Sequence, residues 1–145
     1  MRTHHTPMLA LAVAGLVALG PTATLAQPAK PAPAEQRASG RALYMEHCAS
    51  CHGASGRGDG PAADSLRARP TDLTRFARAN GGVFPAERTR QIIDGRGVMS
   101  HGSVEMPVWG HVFKAASPAG GSAVRQRIEA IVAYLESIQE RVGHE

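Results

Sequence analysis

Large aromatic side chains are scarce in this chain, with three Phe, two Tyr and one Trp among 145 residues. A single modest core this poor in rings gains from a large apolar group supplied from outside. No stretch alternates apolar and polar residues for long, which excludes a substantial β-sheet. No internal repeat is present. The balance of 16 Lys plus Arg against 12 Asp plus Glu is too even, and too scattered, for a nucleic-acid-binding surface. There is no serine nucleophile in a recognisable setting, no carboxylate pair and no phosphate-cradling glycine loop. The glycines from Gly53 to Gly60 read instead as a tight turn.

The N-terminus has the plan of a secretory leader. Arg2 gives a positive start, Met8 to Gly20 is an uncharged apolar run, Pro21 breaks it, and Thr24-Leu25-Ala26 offers small residues for cleavage. Residues 1–26 are therefore expected to be a signal peptide directing the chain to the periplasm. An uncleaved membrane anchor is the alternative, although the 13-residue run falls short of the roughly 20 residues of a spanning helix. The residue directly after Ala26 is Gln27 and not a cysteine, which argues against a lipoprotein. Residues 27–36 (QPAKPAPAEQ) read as a Pro/Ala-rich leader, and residues 37–142 as one domain.

Helical period organises that domain. Gly40, Leu43, Tyr44, His47, Cys48 and Cys51 share one face of a first helix over about Arg37–Ala49. Val124, Ile128, Ile131, Val132, Leu135 and Ile138 make the stripe of a last helix over about Ala123–Gln139, with Gly143 as its stop. A short helix is expected after Thr71-Asp72, ending near Gly81-Gly82. Another opens at Pro85 and ends at Gly95. Residues from Gly97 to Gly110 are expected to be loop.

Both cysteines lie in Cys48-Ala49-Ser50-Cys51-His52. A disulfide is one reading, since exported chains meet an oxidising compartment. A thioredoxin-like redox pair needs strands that this sequence lacks. A zinc site wants four ligands; His47, His52, His101 and His111 are available, but no second Cys pair and no His-x-x-x-His spacing accompanies them. Covalent haem accounts for the whole pattern. Thiols at i and i+3 lie on one side of a helical turn, in reach of the two vinyl groups along one porphyrin edge. The following His52 is then held over the ring face as an iron ligand. For the sixth ligand the candidates are Met99, His101, Met106 and His111. Met106 is favoured because Pro107 restricts it to extended backbone in a loop, so its sulfur is directed with little freedom to lose.

The segments GRALYMEHCASCHG, GDGPAADSLRARPTDLT, GGVFP with IIDGR, EMPVWG and RIEAIVAYLESIQ resemble the small soluble class I cytochromes c of bacteria, over roughly Ala38 to Gln139. The resemblance implies an all-α cytochrome c fold. Three main helices, short helices and loops would wrap one covalent haem c, with the N- and C-terminal helices crossing. It implies Cys48 and Cys51 as attachment thiols and His52 and Met106 as axial ligands. It also implies a proline carbonyl as hydrogen-bond acceptor for the proximal histidine, with Pro61 the match and Pro70 the alternative. Gly40 suits a close crossing, and Tyr44 is expected to pack there with Tyr134 and Leu135. Trp109 is expected to contact the haem. Arg75, Arg78, Arg90 and Arg96 are candidate propionate donors, with a solvated helix face the preferred reading for each. The implied activity is electron transfer between redox protein partners, by a monomer that is not itself a catalyst and has no small-molecule substrate. A haem subunit of a larger oxidoreductase, or a gas-binding cytochrome, is the alternative.

Overall fold

The computed structural model describes Met1 and residues 32–96, 106–117 and 120–141. Among these there is no strand. The helices are α1 (Ala34–His47), α2 (Ala49–His52), α3 (Phe76–Ala79), α4 (Ala86–Asp94), α5 (Trp109–Ala115) and α6 (Gly121–Ser137). Two 3₁₀ turns, Ala63–Ser65 and Leu73–Arg75, lie between α2 and α3. No helix among the described residues is long and apolar enough to cross a membrane. Apart from Met1, the segment read as a signal peptide lies outside the described residues.

The two terminal helices, α1 and α6, form the main packing interface. They can approach because residue 40 has no side chain. A Cβ built there would sit 1.8 Å from the Ala130 carbonyl oxygen, which is backbone and cannot step aside. Tyr44, one turn further on, is fully buried with its ring centroid 5.1 Å from that of Tyr134. The stripe Val124, Ile128, Ile131, Val132 and Leu135 is buried, and Ile138 packs at its end. The all-α fold with crossing terminal helices is as expected.

Several boundaries differ. α1 starts at Ala34, so the end of the segment read as a leader is helical; Ala34, Glu35 and Gln36 favour helix, and Arg37 N–H closes the first turn onto the Pro33 carbonyl. α6 stops at Ser137, well before Gly143, which lies outside the described residues. The Gln139 side-chain amide donates to the Leu135 carbonyl at 2.8 Å and caps the last turn in place of a glycine. Trp109 and Gly110 open α5 rather than ending a loop. The apolar positions Trp109, Val112 and Phe113 have helical spacing, but the helix is only seven residues long and carries a glycine and a β-branched residue.

α4 ends as its sequence suggests. Gly95 is left-handed (φ 78°), its N–H reaches the Ile92 carbonyl, and Arg96 N–H reaches that of Gln91. This is a Schellman cap. The end of α4 then meets the start of α5 at very short range. A Cβ at Gly110 would lie 2.1 Å from Asp94 Oδ1, and one at Gly95 would lie 2.3 Å from the Val108 side chain. Val108, two residues after Met106, is thereby held against the end of α4.

Candidate haem-attachment site

Cys48 N–H closes α1 onto the Tyr44 carbonyl, and the chain turns directly into α2. Cys51 N–H and His52 N–H both return to the Cys48 carbonyl, so the two thiols and the imidazole stand on one turn. A turn that stops so abruptly leaves carbonyls without helical partners. The glycine-rich loop supplies them. Gly58 N–H bonds the His52 carbonyl, Gly60 N–H that of Cys51, and Ala62 N–H that of Ser50. Such close return needs bare backbone: a Cβ on Gly60 would lie 2.4 Å from the Ser50 oxygen. The Tyr44 hydroxyl donates to the Gly53 carbonyl at 2.6 Å from within the core. Burial, reinforced by Cys48 nearby, raises the Tyr44 phenol well above its ordinary range, so it stays protonated as a donor.

Both cysteines are free thiols, half-buried. Burial, and secondarily the neighbouring Cys51, pushes the Cys48 thiol up to about 12. Half-buried His52 places Nδ1 at 3.1 Å from the Thr71 carbonyl oxygen. A carbonyl only accepts, so Nδ1 carries the proton and Nε2 keeps its lone pair. Burial lowers the His52 pKa, against the opposing effect of the Thr71 bond, and favours the neutral ring. A neutral, oriented imidazole beside two reduced thiols is the donor set that a haem c requires. Among the described residues no group of three or more His, Cys, Asp or Glu side chains is gathered to hold a metal ion on its own.

The acceptor for His52 corrects the sequence reading. It is Thr71, not Pro61, and it follows the alternative Pro70 by one residue. Pro61 is exposed in the loop that folds under α2, where Gly60 and Ala62 on either side are bonded back to that turn. Thr71 instead belongs to the strap that crosses the loop: Leu73 N–H bonds the Gly56 carbonyl at 2.7 Å. The pointer in the sequence was Thr71-Asp72 before a helix start. Asp72 does cap that start, accepting from Thr74 N–H at 3.0 Å.

Trp109 packs on His47, with centroids 5.2 Å apart, and on Phe113 at 5.7 Å. His47 also meets the edge of Phe113 at 5.1 Å. This cluster joins the end of α1, directly before Cys48, to the start of α5, directly after the Met106-Pro107-Val108 segment. It brings α5, which opens three residues after half-buried Met106, to the thiol-bearing end of α1. His111 is exposed, and Met99 and His101 lie outside the described residues. Of the arginines considered, Arg75 pairs with Asp72 and Glu140, Arg90 with Glu87 and Glu129, and Arg96 with Asp94; Arg78 is exposed.

A family model described as cytochrome c matches residues 37–139, from the first turn of α1 to just past the end of α6, and so takes in the whole of this site. The chain belongs to the cytochrome c family. Searches of curated proteins and of solved structures found no match to the chain. Membership implies covalently bound haem c and haem-based electron transfer, and the Cys48–Cys51 spacing of this cytochrome fits it.

Proposed function

We propose that this cytochrome carries single electrons between redox proteins of the periplasm, using one haem c held by thioethers to Cys48 and Cys51, with His52 and Met106 as axial ligands. The observation that carries the reading is His52 itself. Its Nδ1 is committed to the Thr71 carbonyl at 3.1 Å, which leaves Nε2 as the coordinating atom directly behind two free thiols. When bound, haem supplies a one-electron Fe(III)/Fe(II) couple.

The chain's residues do the rest. Thr71 fixes the His52 tautomer and raises the basicity of the ring. The Met106 thioether, a soft ligand, favours Fe(II) and raises the potential relative to two imidazoles. Pro107 and the contact between α4 and α5 restrict where that sulfur goes. With His52 and Met106 both given to the iron, no small-molecule substrate would bind there, which suits a carrier and not a catalyst. Residues 1–26 support export to the periplasm, and the monomer needs only transient contact with a donor and an acceptor.

The test is an absorption spectrum of holoprotein made with haem-maturation machinery. The oxidised wild type is expected to show the long-wavelength iron–sulfur band and to resist carbon monoxide when reduced. Met106→Ala should keep its haem, lose that band, bind carbon monoxide and fall in potential. A wild type that binds carbon monoxide rapidly is a gas-binding cytochrome or an oxidoreductase subunit. A wild type without haem overturns the reading altogether.

A further inference from the structure

The Thr71 carbonyl is not held by its own neighbours alone. Thr71 is exposed, and the strap that carries it, running into the Leu73–Arg75 turn and α3, is tied to the Gly53–Gly60 loop by the Leu73 N–H bond to the Gly56 carbonyl at 2.7 Å. Its further fastening comes from the far end of the chain. The Gln139 side chain, just past α6, uses both of its functions on this strap. Its amide oxygen accepts from Ala77 N–H at 2.8 Å, and its amide nitrogen donates to the Leu73 carbonyl at 2.8 Å. The same nitrogen donates to the Leu135 carbonyl at 2.8 Å, which ties the side chain back to α6. One residue later, Glu140 N–H donates to the Thr74 carbonyl at 2.8 Å. The strap is thus fastened two and three residues after Thr71 by residues more than 60 positions away in sequence.

We infer that Gln139 is a positioning residue for the proximal ligand: by fastening the Leu73–Ala77 turn to the end of α6, it fixes the Thr71 carbonyl against His52 Nδ1 and so sets the redox potential. The inference rests on His52 as the iron ligand. Its physical basis is that a carbonyl held firmly at Nδ1–H makes the imidazole a stronger donor, which favours Fe(III). Loosening the carbonyl weakens that donation and moves the potential upward. No other side chain of comparable size matches the role. Leu fills the same space without any of the bonds, and Glu retains the acceptor for Ala77 N–H but loses both donors.

The test uses holoprotein variants Gln139→Leu and Gln139→Glu, with Ile128→Val as control. Ile128 is a buried residue of the same helix that takes no part in the strap, so it reports the effect of general loosening of α6. Two quantities are read: midpoint potential, and exchange of the His52 Nδ1 proton in the reduced protein by NMR. Both Gln139 variants are expected to shift the potential upward and to speed Nδ1–H exchange, while Ile128→Val changes neither. If Gln139→Leu gives no folded holoprotein, Gln139→Glu alone decides. An unchanged potential, a downward shift, or an equal shift in Ile128→Val overturns the role of Gln139. Failure of the underlying reading looks different: His52→Ala would then leave the haem spectrum of the protein unchanged.

Discussion

Asp72 is a single side chain that does three things at once. Oδ1 accepts from Thr74 N–H at 3.0 Å and from the Thr74 hydroxyl at 2.5 Å, and Oδ2 lies 3.3 Å from Arg75 Nε. Burial pushes its carboxyl up, but the two Thr74 bonds, with Arg75 and Arg57, outweigh this and hold it below the usual range. A carboxyl depressed in the folded state contributes stability that is present above its unfolded pKa of about 3.9 and is lost as pH falls through the folded value. Asp72→Ala is therefore expected to cost about 1 kcal/mol at neutral pH, the usual worth of a helix-start cap. In denaturant melts the difference from wild type should shrink as pH drops below about 4. A difference independent of pH down to acid would mean that the carboxylate is not the stabilising group. Tyr44→Phe is the companion change. It keeps the ring contact with Tyr134 and removes only the bond to the Gly53 carbonyl, so a loss of about 1–3 kcal/mol is expected by the same melts.

Among the elements, the crossing of α1 and α6 depends on one missing side chain. Gly40→Ala adds a Cβ that must push the Ala130 carbonyl, and with it the axis of α6, away from α1. Alanine's higher helix propensity, worth about 1 kcal/mol over glycine, works in the opposite direction. The clash is with backbone on both sides, so overpacking should win and the variant should lose about 3 kcal/mol, the upper end for such insertions. A variant as stable as wild type would show that the helices can separate at no cost. The helix pair α4 and α5 uses the same device at Gly95 and Gly110, where Asp94 and Val108 leave no room for a Cβ. Substitution there should act on the site as well as on stability, because the segment after Met106 leads straight into α5.

For the molecule as a whole, the described core has only three fully buried large side chains, Tyr44, Phe113 and Ile131. The remainder is Tyr134, aliphatic side chains and alanine, with two buried threonines, Thr74 and Thr89. Domains of this size are stable by about 5–15 kcal/mol, and a core this thin cannot also lose a porphyrin-sized apolar group. Chain in which Cys48 and Cys51 are both replaced by Ala is expected to lack the cooperative thermal transition of holoprotein by circular dichroism, although α1 and α6 retain some helix. Matching transitions would show that the polypeptide folds on its own contacts. Acid–acetone extraction of wild type should leave the haem on the chain, since two thioethers hold it; free haem in the extract would refute covalent attachment.

The sequence alone determined what depends on residues within about one helical turn of each other. Cys48, Cys51 and His52 fall on one turn whatever surrounds them, the stripe from Val124 to Leu135 defines the buried face of α6, and Gly95 ends α4 because a left-handed residue is needed where it stands. Local patterns of this kind encode helix, cap and motif without reference to the rest of the chain. Tertiary structure decided the rest. Which carbonyl meets His52 Nδ1 depends on how the strap crosses the glycine loop, 19 residues away, and a proline pattern was no guide to it. That α6 ends at Ser137 and not at Gly143 depends on Gln139 and Glu140 being drawn to the Leu73–Ala77 turn. The short α5 exists because Trp109 and Phe113 find His47, and because Gly110 fits against Asp94. Isolated helices so short are marginal in water, and only packing against partners distant in sequence makes them stable.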